Sequence, residues 1–162
     1  MSRFLHWLIV GLVTMNAWLF GIQGAIADSL DGVDLFSEAP IVDVRVSLGN
    51  RTNDLIFEPS DFTFVAGKRY RLILKNPSAV KHYFTSKDFA DSIWTQKVEA
   101  GKVEVKGAIH EVELKPQAVA EWVFVPIKPG SYELHCSIPG HAQAGMVGRL
   151  QVVSSAKSSS NG

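Results

Sequence analysis

The sequence predicts an all-β fold, a sandwich or barrel of short antiparallel strands. Three observations support this prediction. Apolar and polar residues alternate with a period of two over several short segments, turn residues separate these segments, and no helical repeats intervene. Period-two alternation is typical of strands with one buried face. Hydrophobic residues make up 46% of the 162 residues, enough to form one packed core.

The predicted strands follow one another along the chain as short alternating segments. The clearest of them are residues 42–48, 69–75, 111–114 and 120–124. Turn residues lie between the segments, at Gly49-Asn50, Gly67-Lys68, Asn76-Pro77, Lys115-Pro116 and Pro129-Gly130. Because Gly, Pro and Asn favour turns and interrupt regular structure, the strands are expected to end near these positions.

One segment, SKDFADSIW, predicts a short helix near residues 87–94. Phe89 and Ile93 are four residues apart, which places them on one face of a helix. Ser86 precedes the segment and is expected to cap it.

The first 27 residues predict a secretory signal peptide that is cleaved after Ala27. This segment contains Arg3 and no acidic residue, continues with an apolar run, and ends in Ala25-Ile26-Ala27. An uncleaved membrane anchor is the alternative, because residues 4–27 are just long enough to span a bilayer. Polar residues within the run and the small residues at its end favour cleavage.

The remaining chain is expected to contain a lead-in segment (28–40), one domain (41–153) and a disordered tail, SSAKSSSNG (154–162). The mature protein would be exported, to a periplasm, a thylakoid lumen or the exterior, and would not insert stably into a membrane. Cleavage removes one basic residue and changes the formal net charge from zero to about −1. A charge so close to zero gives no sign of nucleic-acid binding.

The chain contains a single cysteine, Cys136. One cysteine excludes an internal disulfide, and it excludes zinc ribbons and iron–sulfur clusters, which need several thiolates. A free thiol in an exported protein requires protection, either by a metal or by burial as a small apolar residue.

Cys136 lies where a predicted strand, SYELHC, gives way to a loop, and the strand MVGRLQVV follows that loop. Alternation places Cys136 at the end of one core-facing register and Met146 at the start of the next. His141 lies in the middle of the loop, which Pro139 and two glycines keep irregular. Cysteine, histidine and methionine are thus expected at one end of the sandwich.

These residue types suit copper. A thiolate and two imidazoles, with a weak axial thioether, form the ligand set of blue copper sites. The loop supplies three such donors, and the fourth is expected from a histidine on another strand. His82, which follows the turn in NPSAVKH, is the favoured residue, and His110 is its competitor because it shares a face with Val112 by alternation.

This pattern resembles the cupredoxins, the small blue copper proteins, from about Val42 to Val153. Four residues separate Cys136 from His141, and four separate His141 from Met146, a spacing similar to that of rusticyanin. The stretch FEPSDFTFVAGKRYRLILKN ahead of His82 is similar to the plastocyanin pattern. The resemblance implies a Greek-key β-sandwich, one type 1 copper held by His82, Cys136, His141 and Met146, and one-electron transfer. The family usually has a small polar residue, often Asn, after the upstream histidine, whereas this chain has Tyr83.

His135, directly before the cysteine, has a counterpart in copper nitrite reductases, where it binds a second, catalytic copper. That site needs further histidines, and residues 83–94 contain none. Multicopper oxidases need a histidine on both sides of the cysteine, and Ser137 does not fit. His135 is therefore expected to be a surface residue.

Three classes of function follow. The favoured one is an electron carrier, not an enzyme, expected to be a monomer that meets redox protein partners near His141. The second is a copper-tolerance protein that sequesters or delivers the ion. The third is an enzyme in which Cys136 acts as nucleophile and His141 as base; Met146 would have no role in it.

Overall fold

The structure, a computed structural model, describes residues 40–155. Within this range the chain forms short strands and one short helix, in an order that agrees with the all-β prediction. The elements are β1 (Ile41–Leu48), β2 (Phe57–Glu58), β3 (Asp61–Val65), β4 (Arg69–Lys75), β5 (His82–Thr85), α1 (Lys87–Ala90), β6 (Ile93–Ala100), β7 (Val103–Val105), β8 (Glu111–Leu114), β9 (Val119–Pro126), β10 (Gly130–His135) and β11 (Val147–Val153).

The strands form two sheets. One has the order β2-β1-β4-β9-β6-β7, and the other has the order β3-β11-β10-β5-β8. Many neighbouring strands are distant in sequence, as expected for Greek-key connections. Two pairs, β1 with β4 and β3 with β11, are parallel, whereas the sequence predicted antiparallel strands throughout. The chain leaves the first sheet after β2 for β3 and returns with β4, so β4 re-enters beside β1 in the same direction.

The core lies between the two sheets and is rich in aromatic rings. Phe84 of the second sheet is 6.2 Å from Trp122 of the first, measured between ring centroids. Phe64 and Phe124 make an equivalent contact across the sheets at 5.4 Å. These side chains are buried, and such aromatic pairs add to the free energy gained by burying their surface. They belong to the same buried core cluster as Cys136.

The helix is shorter than predicted. It ends at Ala90, and Ile93 begins strand β6. Ser86 makes no capping hydrogen bond with its side chain; its hydroxyl donates instead to the carbonyl of Glu133, at 2.5 Å. Phe89 is fully buried in the aromatic core, so packing holds this turn in place.

Strand order brings two distant parts of the chain to one place. Strand β10 lies between β11 and β5, with His135 paired with Val147 on one side and with Thr85 on the other. Cys136 directly follows β10, Met146 directly precedes β11, and His82 opens β5. These three residues therefore lie at the same end of the second sheet.

The predicted signal peptide lies outside the described residues, as do residues 28–39 of the lead-in segment and residues 156–162 of the tail. The described strands run from Ile41 to Val153.

Candidate metal centre

The loop between β10 and β11 is closed by its own backbone hydrogen bonds. The amide of Cys136 donates to the carbonyl of Met146 at 3.1 Å, and the amide of Met146 donates to the carbonyl of His141 at 3.0 Å. The amide of His141 in turn donates to the carbonyl of Ile138 at 3.0 Å. The three residues singled out by the sequence are thus tied to one another by main-chain bonds, which fixes their spacing.

Three potential ligands converge at this end of the sandwich. One ligand atom from each of His82, Cys136 and His141 lies within 4.8 Å of the others. The sulfur of Cys136 is 3.5 Å from Nδ1 of His141, and the two imidazole rings are 5.3 Å apart between centroids. His82 and Cys136 are 0% and 1% exposed, whereas His141 is partly exposed. His82 and Cys136 are therefore shielded from solvent, and the group contacts solvent through His141.

A rigid turn positions His82. Asn76 is fully buried, and its side-chain amide donates to the carbonyls of Val80, at 2.7 Å, and Leu114, at 2.9 Å. Its side-chain oxygen accepts from both the amide and the hydroxyl of Ser78. Because buried polar groups keep their partners, this network fixes the five residues that lead into His82.

The electrostatics keep His82 neutral. Burial lowers the pKa of His82, and the nearby His141 lowers it further. Both ring nitrogens of His82 are buried and have no hydrogen-bond partner among the described residues. A neutral imidazole with a free lone pair is the form that binds a metal. The thiol and the two imidazoles therefore fit a copper ion in both the kind and the spacing of their donors.

Met146 is fully buried directly before β11, within the core that also contains Cys136. Its backbone bonds to Cys136 and His141 place it beside both residues. The role of its sulfur as the fourth, axial ligand stays a prediction.

Tyr83, the residue that differs from the family pattern, approaches the cysteine with its backbone. Its amide donates to the sulfur of Cys136 at 3.4 Å, within range for a bond to sulfur. Its side chain turns to the outer face, where the hydroxyl donates to Glu113 and lies 3.0 Å from the amine of Lys81. The hydrogen bond to the sulfur is thus made by a group that every residue except proline possesses.

Glu111 also supports the site, although no pattern in the sequence indicates it. Its carboxylate accepts from the hydroxyl of Ser137 at 2.5 Å and from that of Thr85 at 2.8 Å. It thereby connects the residue after Cys136 to strands β5 and β8. The pairing of β8 with β5 aligns these residues, and no local pattern in the sequence indicates that pairing.

The structure places the other two candidate histidines elsewhere. His110 is exposed, and its Nε2 is 2.7 Å from a carboxylate oxygen of Asp91, so it does not join the group around Cys136. His135 is partly exposed, with Nδ1 3.4 Å from a carboxylate oxygen of Glu133. Among residues 40–155, His135 belongs to no cluster of three or more His, Cys, Asp or Glu side chains with metal-site spacing.

A model of the cupredoxin-like domain matches residues 50–147. The chain belongs to the cupredoxin-like family. In a chain of this family, the group of His82, Cys136 and His141 is the candidate copper site.

Two curated relatives are both described as "Copper-resistant cuproprotein CopI". The protein from Rubrivivax gelatinosus is 31% identical over 97 residues, which are 59% of this chain and 59% of the relative. The protein from Pseudomonas aeruginosa is 28% identical over 139 residues, covering 67% of this chain and 75% of the relative. The chain thus matches only about three fifths of the length of the first relative.

Solved structures show the same fold at low sequence identity. Dithionite-reduced auracyanin from Roseiflexus castenholzii aligns with a TM-score of 0.51 and 20% identity, over 71% of this chain and 98% of that protein. The multicopper oxidase McoA from Aquifex aeolicus aligns with a TM-score of 0.53 and 17% identity, over 69% of this chain and 29% of the oxidase. The fold therefore occurs both as a whole small protein and as part of a larger enzyme.

Within residues 40–155, no helix has the length and apolar character needed to cross a membrane.

Proposed function

We propose that this chain is an exported, mononuclear blue copper protein that carries one electron at a time between redox partners. His82, Cys136, His141 and Met146 would hold the ion. Copper bound there supplies a one-electron couple between its two oxidation states. The protein contributes a buried, preformed set of donors whose rearrangement during electron transfer is small.

The observation that carries this proposal is the convergence of a buried thiol and two imidazoles within 4.8 Å. The three residues come from two segments separated by more than fifty residues, and main-chain and side-chain bonds hold each segment in place. A thiol buried only as core filler would not be accompanied by a buried, neutral histidine without hydrogen-bond partners among the described residues.

The same residues support a second function, the sequestration or delivery of copper. The specific observation in its favour is the similarity to two proteins described as copper-resistant cuproproteins. A carrier needs a reversible couple and fast exchange. A copper-handling protein needs tight Cu(I) binding and transfer to another protein.

An enzymatic role for Cys136 finds little support. The cysteine is 1% exposed, so a substrate would not reach its sulfur without displacing the surrounding loop. Activation of a nucleophile needs a base within reach of an accessible thiol, and here His141, not Cys136, faces solvent. We therefore propose a protein without catalytic activity of its own.

The proposed docking surface surrounds His141. Ile138 and Ala142 are partly exposed, Pro139 and Ala144 are exposed, and Ile56 lies near Val147 beyond the loop. A small apolar surface of this kind suits the brief contacts of electron transfer. We propose that redox proteins dock there and that the mature chain is a monomer.

Loading the mature chain with Cu(II) tests the proposal. One copper per chain and an intense thiolate-to-copper absorption band are expected. Colourless binding, or binding of two copper ions, would contradict it.

Voltammetry together with competition against a Cu(I) chelator then separates the two functions. A reversible couple with fast self-exchange indicates a carrier, and transfer of Cu(I) to a copper-free acceptor protein indicates copper handling.

A further inference from the structure

The segment between β1 and β2 lies against the ring of His82. Gly49 opens this segment with a φ of +73°, and it approaches the imidazole so closely that a side chain does not fit. A Cβ atom at Gly49 would lie 2.9 Å from Nε2 of His82 and 3.2 Å from its Cδ2. Contacts this short do not persist between a methyl group and a ring, so one of the two groups would have to move.

Burial restricts the His82 ring, and hydrogen bonds restrict the backbone of Gly49. His82 is 0% exposed, and the carbonyl oxygen of Asp54 lies 3.3 Å from the same Cβ position. The backbone of Gly49 is held at both polar groups: its amide donates to the carbonyl of Ile56 at 2.8 Å, and its carbonyl accepts from the hydroxyl of Ser47 at 2.8 Å. Glycine is therefore needed here both for its left-handed backbone and for its lack of a side chain.

The rest of the segment is tied internally and to the turn that carries His82. The side-chain oxygen of Asn50 accepts from the amides of Thr52 and Asp54, each at 3.0 Å. Asn53 has a φ of 62°, and its side-chain oxygen accepts from the amide of Ala79 at 2.8 Å. Ala79 lies in the loop between β4 and β5, three residues before His82.

We infer that residues 49–54 form a clamp that fixes the orientation of the His82 ring, with Gly49 as the positioning residue. Gly49 packs against the Nε2–Cδ2 edge of the ring. Asn53 connects this segment to the loop between β4 and β5 through its hydrogen bond from the amide of Ala79. Groups behind a metal-binding histidine normally set its orientation by hydrogen bonds, whereas this chain sets it by van der Waals contact. The inference rests on the proposed function in that His82 is taken as a copper ligand.

Gly49→Ala tests the contact, and Gly67→Ala is its matched control. Gly67 has a φ of +80°, similar to that of Gly49, but nothing lies within 4 Å of a Cβ atom built there. Both variants place an alanine at a positive φ, and only Gly49→Ala should displace His82. In the metal-free protein, NMR should show altered His82 ring shifts for Gly49→Ala and wild-type ring shifts for Gly67→Ala. In the Cu(II) protein, only Gly49→Ala should shift the visible band and change the EPR hyperfine splitting.

A second pair of variants decides the matter if Gly49→Ala does not fold. Asn53→Gly keeps the left-handed backbone and removes the acceptor for the amide of Ala79, whereas Asn53→Asp keeps both. Asn53→Gly should alter or broaden the His82 ring signals and shift the visible band, and Asn53→Asp should retain the wild-type ring signals and band.

Wild-type ring shifts and a wild-type copper spectrum in every foldable Gly49 and Asn53 variant would overturn the inference. That outcome differs from a failure of the proposed function, in which the wild-type protein itself shows no blue copper spectrum. The NMR comparison needs no copper, so it tests the clamp in either case.

Discussion

The backbone amide of Tyr83 donates a hydrogen bond to the sulfur of Cys136 at 3.4 Å, across 53 residues of sequence. This bond joins the segment of His82 to the segment of the cysteine, the two parts of the chain that supply the proposed ligands. Hydrogen bonds to a ligand sulfur favour its negative charge and so influence the reduction potential. A bulky residue at position 83 is compatible with this bond because its side chain points away from the sulfur.

We predict that Tyr83→Phe leaves the copper spectrum unchanged. The variant keeps the amide and removes only the hydroxyl, which donates to Glu113 on the outer face. The free energy of unfolding of the metal-free protein should fall only slightly, because this hydrogen bond is exposed to solvent. Absorption spectra and urea denaturation measure the two effects. Glu113→Gln, which weakens the same bond from its other side, is the control, and an altered visible band in Tyr83→Phe would show that the side chain acts on the site.

Cys136→Ser should abolish the intense visible band. The transition belongs to the bond between copper and sulfur, and a hydroxyl oxygen does not provide it. The substitution is small and buried, so circular dichroism should show that the fold is retained. A variant that stays as strongly coloured as the wild type would refute the assignment of Cys136 as a ligand.

Met146→Leu should keep most of the colour and raise the reduction potential. The axial thioether bond is weak, so its loss alters the cysteine–copper transition little, but removing a donor destabilises Cu(II) relative to Cu(I). Leucine has a similar volume, and the change in the free energy of unfolding should stay below about 1.5 kcal/mol. Voltammetry provides the measurement. An unchanged potential would mean that Met146 belongs only to the core.

The metal-free protein should lose stability as the pH falls below the ordinary pKa of histidine, about 6.5. Burial lowers the pKa of His82 in the folded protein, and His141 lowers it further. Between that lowered pKa and 6.5 the unfolded chain binds a proton at this residue and the folded chain does not, so protons favour unfolding. Urea denaturation at several pH values measures the slope. His82→Gln should have a flatter profile over this window, and equal slopes in the two proteins would contradict the predicted shift.

Much of the fold and most of the candidate site could be predicted from the sequence because both depend on local patterns. Alternation in SYELHC and MVGRLQVV correctly predicted that Cys136 and Met146 are buried at the two ends of one loop. The turn before His82 correctly indicated that this histidine opens a strand near the cysteine.

The remaining features depend on contacts between distant segments, which local patterns do not encode. Glu111 alternates with Val112 like any residue on an outer face, and only the pairing of β8 with β5 brings it to Thr85 and Ser137. Gly49 was interpreted as a turn residue, and its contact with His82 arises from the packing of two loops. The helix was predicted too long because Phe89 and Ile93 match helical spacing, although Ile93 begins a strand that pairs with β9.

Ala142→Glu should slow electron exchange with a redox partner and leave the visible spectrum nearly unchanged. Ala142 follows His141 and is partly exposed, within the apolar surface proposed for docking. A carboxylate placed there would have to lose its water on contact, which costs free energy. Because the mature chain is expected to carry a net charge of about −1, the wild-type rate should depend only weakly on salt.

Stopped-flow spectrophotometry measures the rates of electron exchange. Val103→Glu is the control, because Val103 is 61% exposed on β7 of the other sheet. A steep salt dependence together with an unaffected Ala142→Glu rate would show that partners dock elsewhere, through a charged surface.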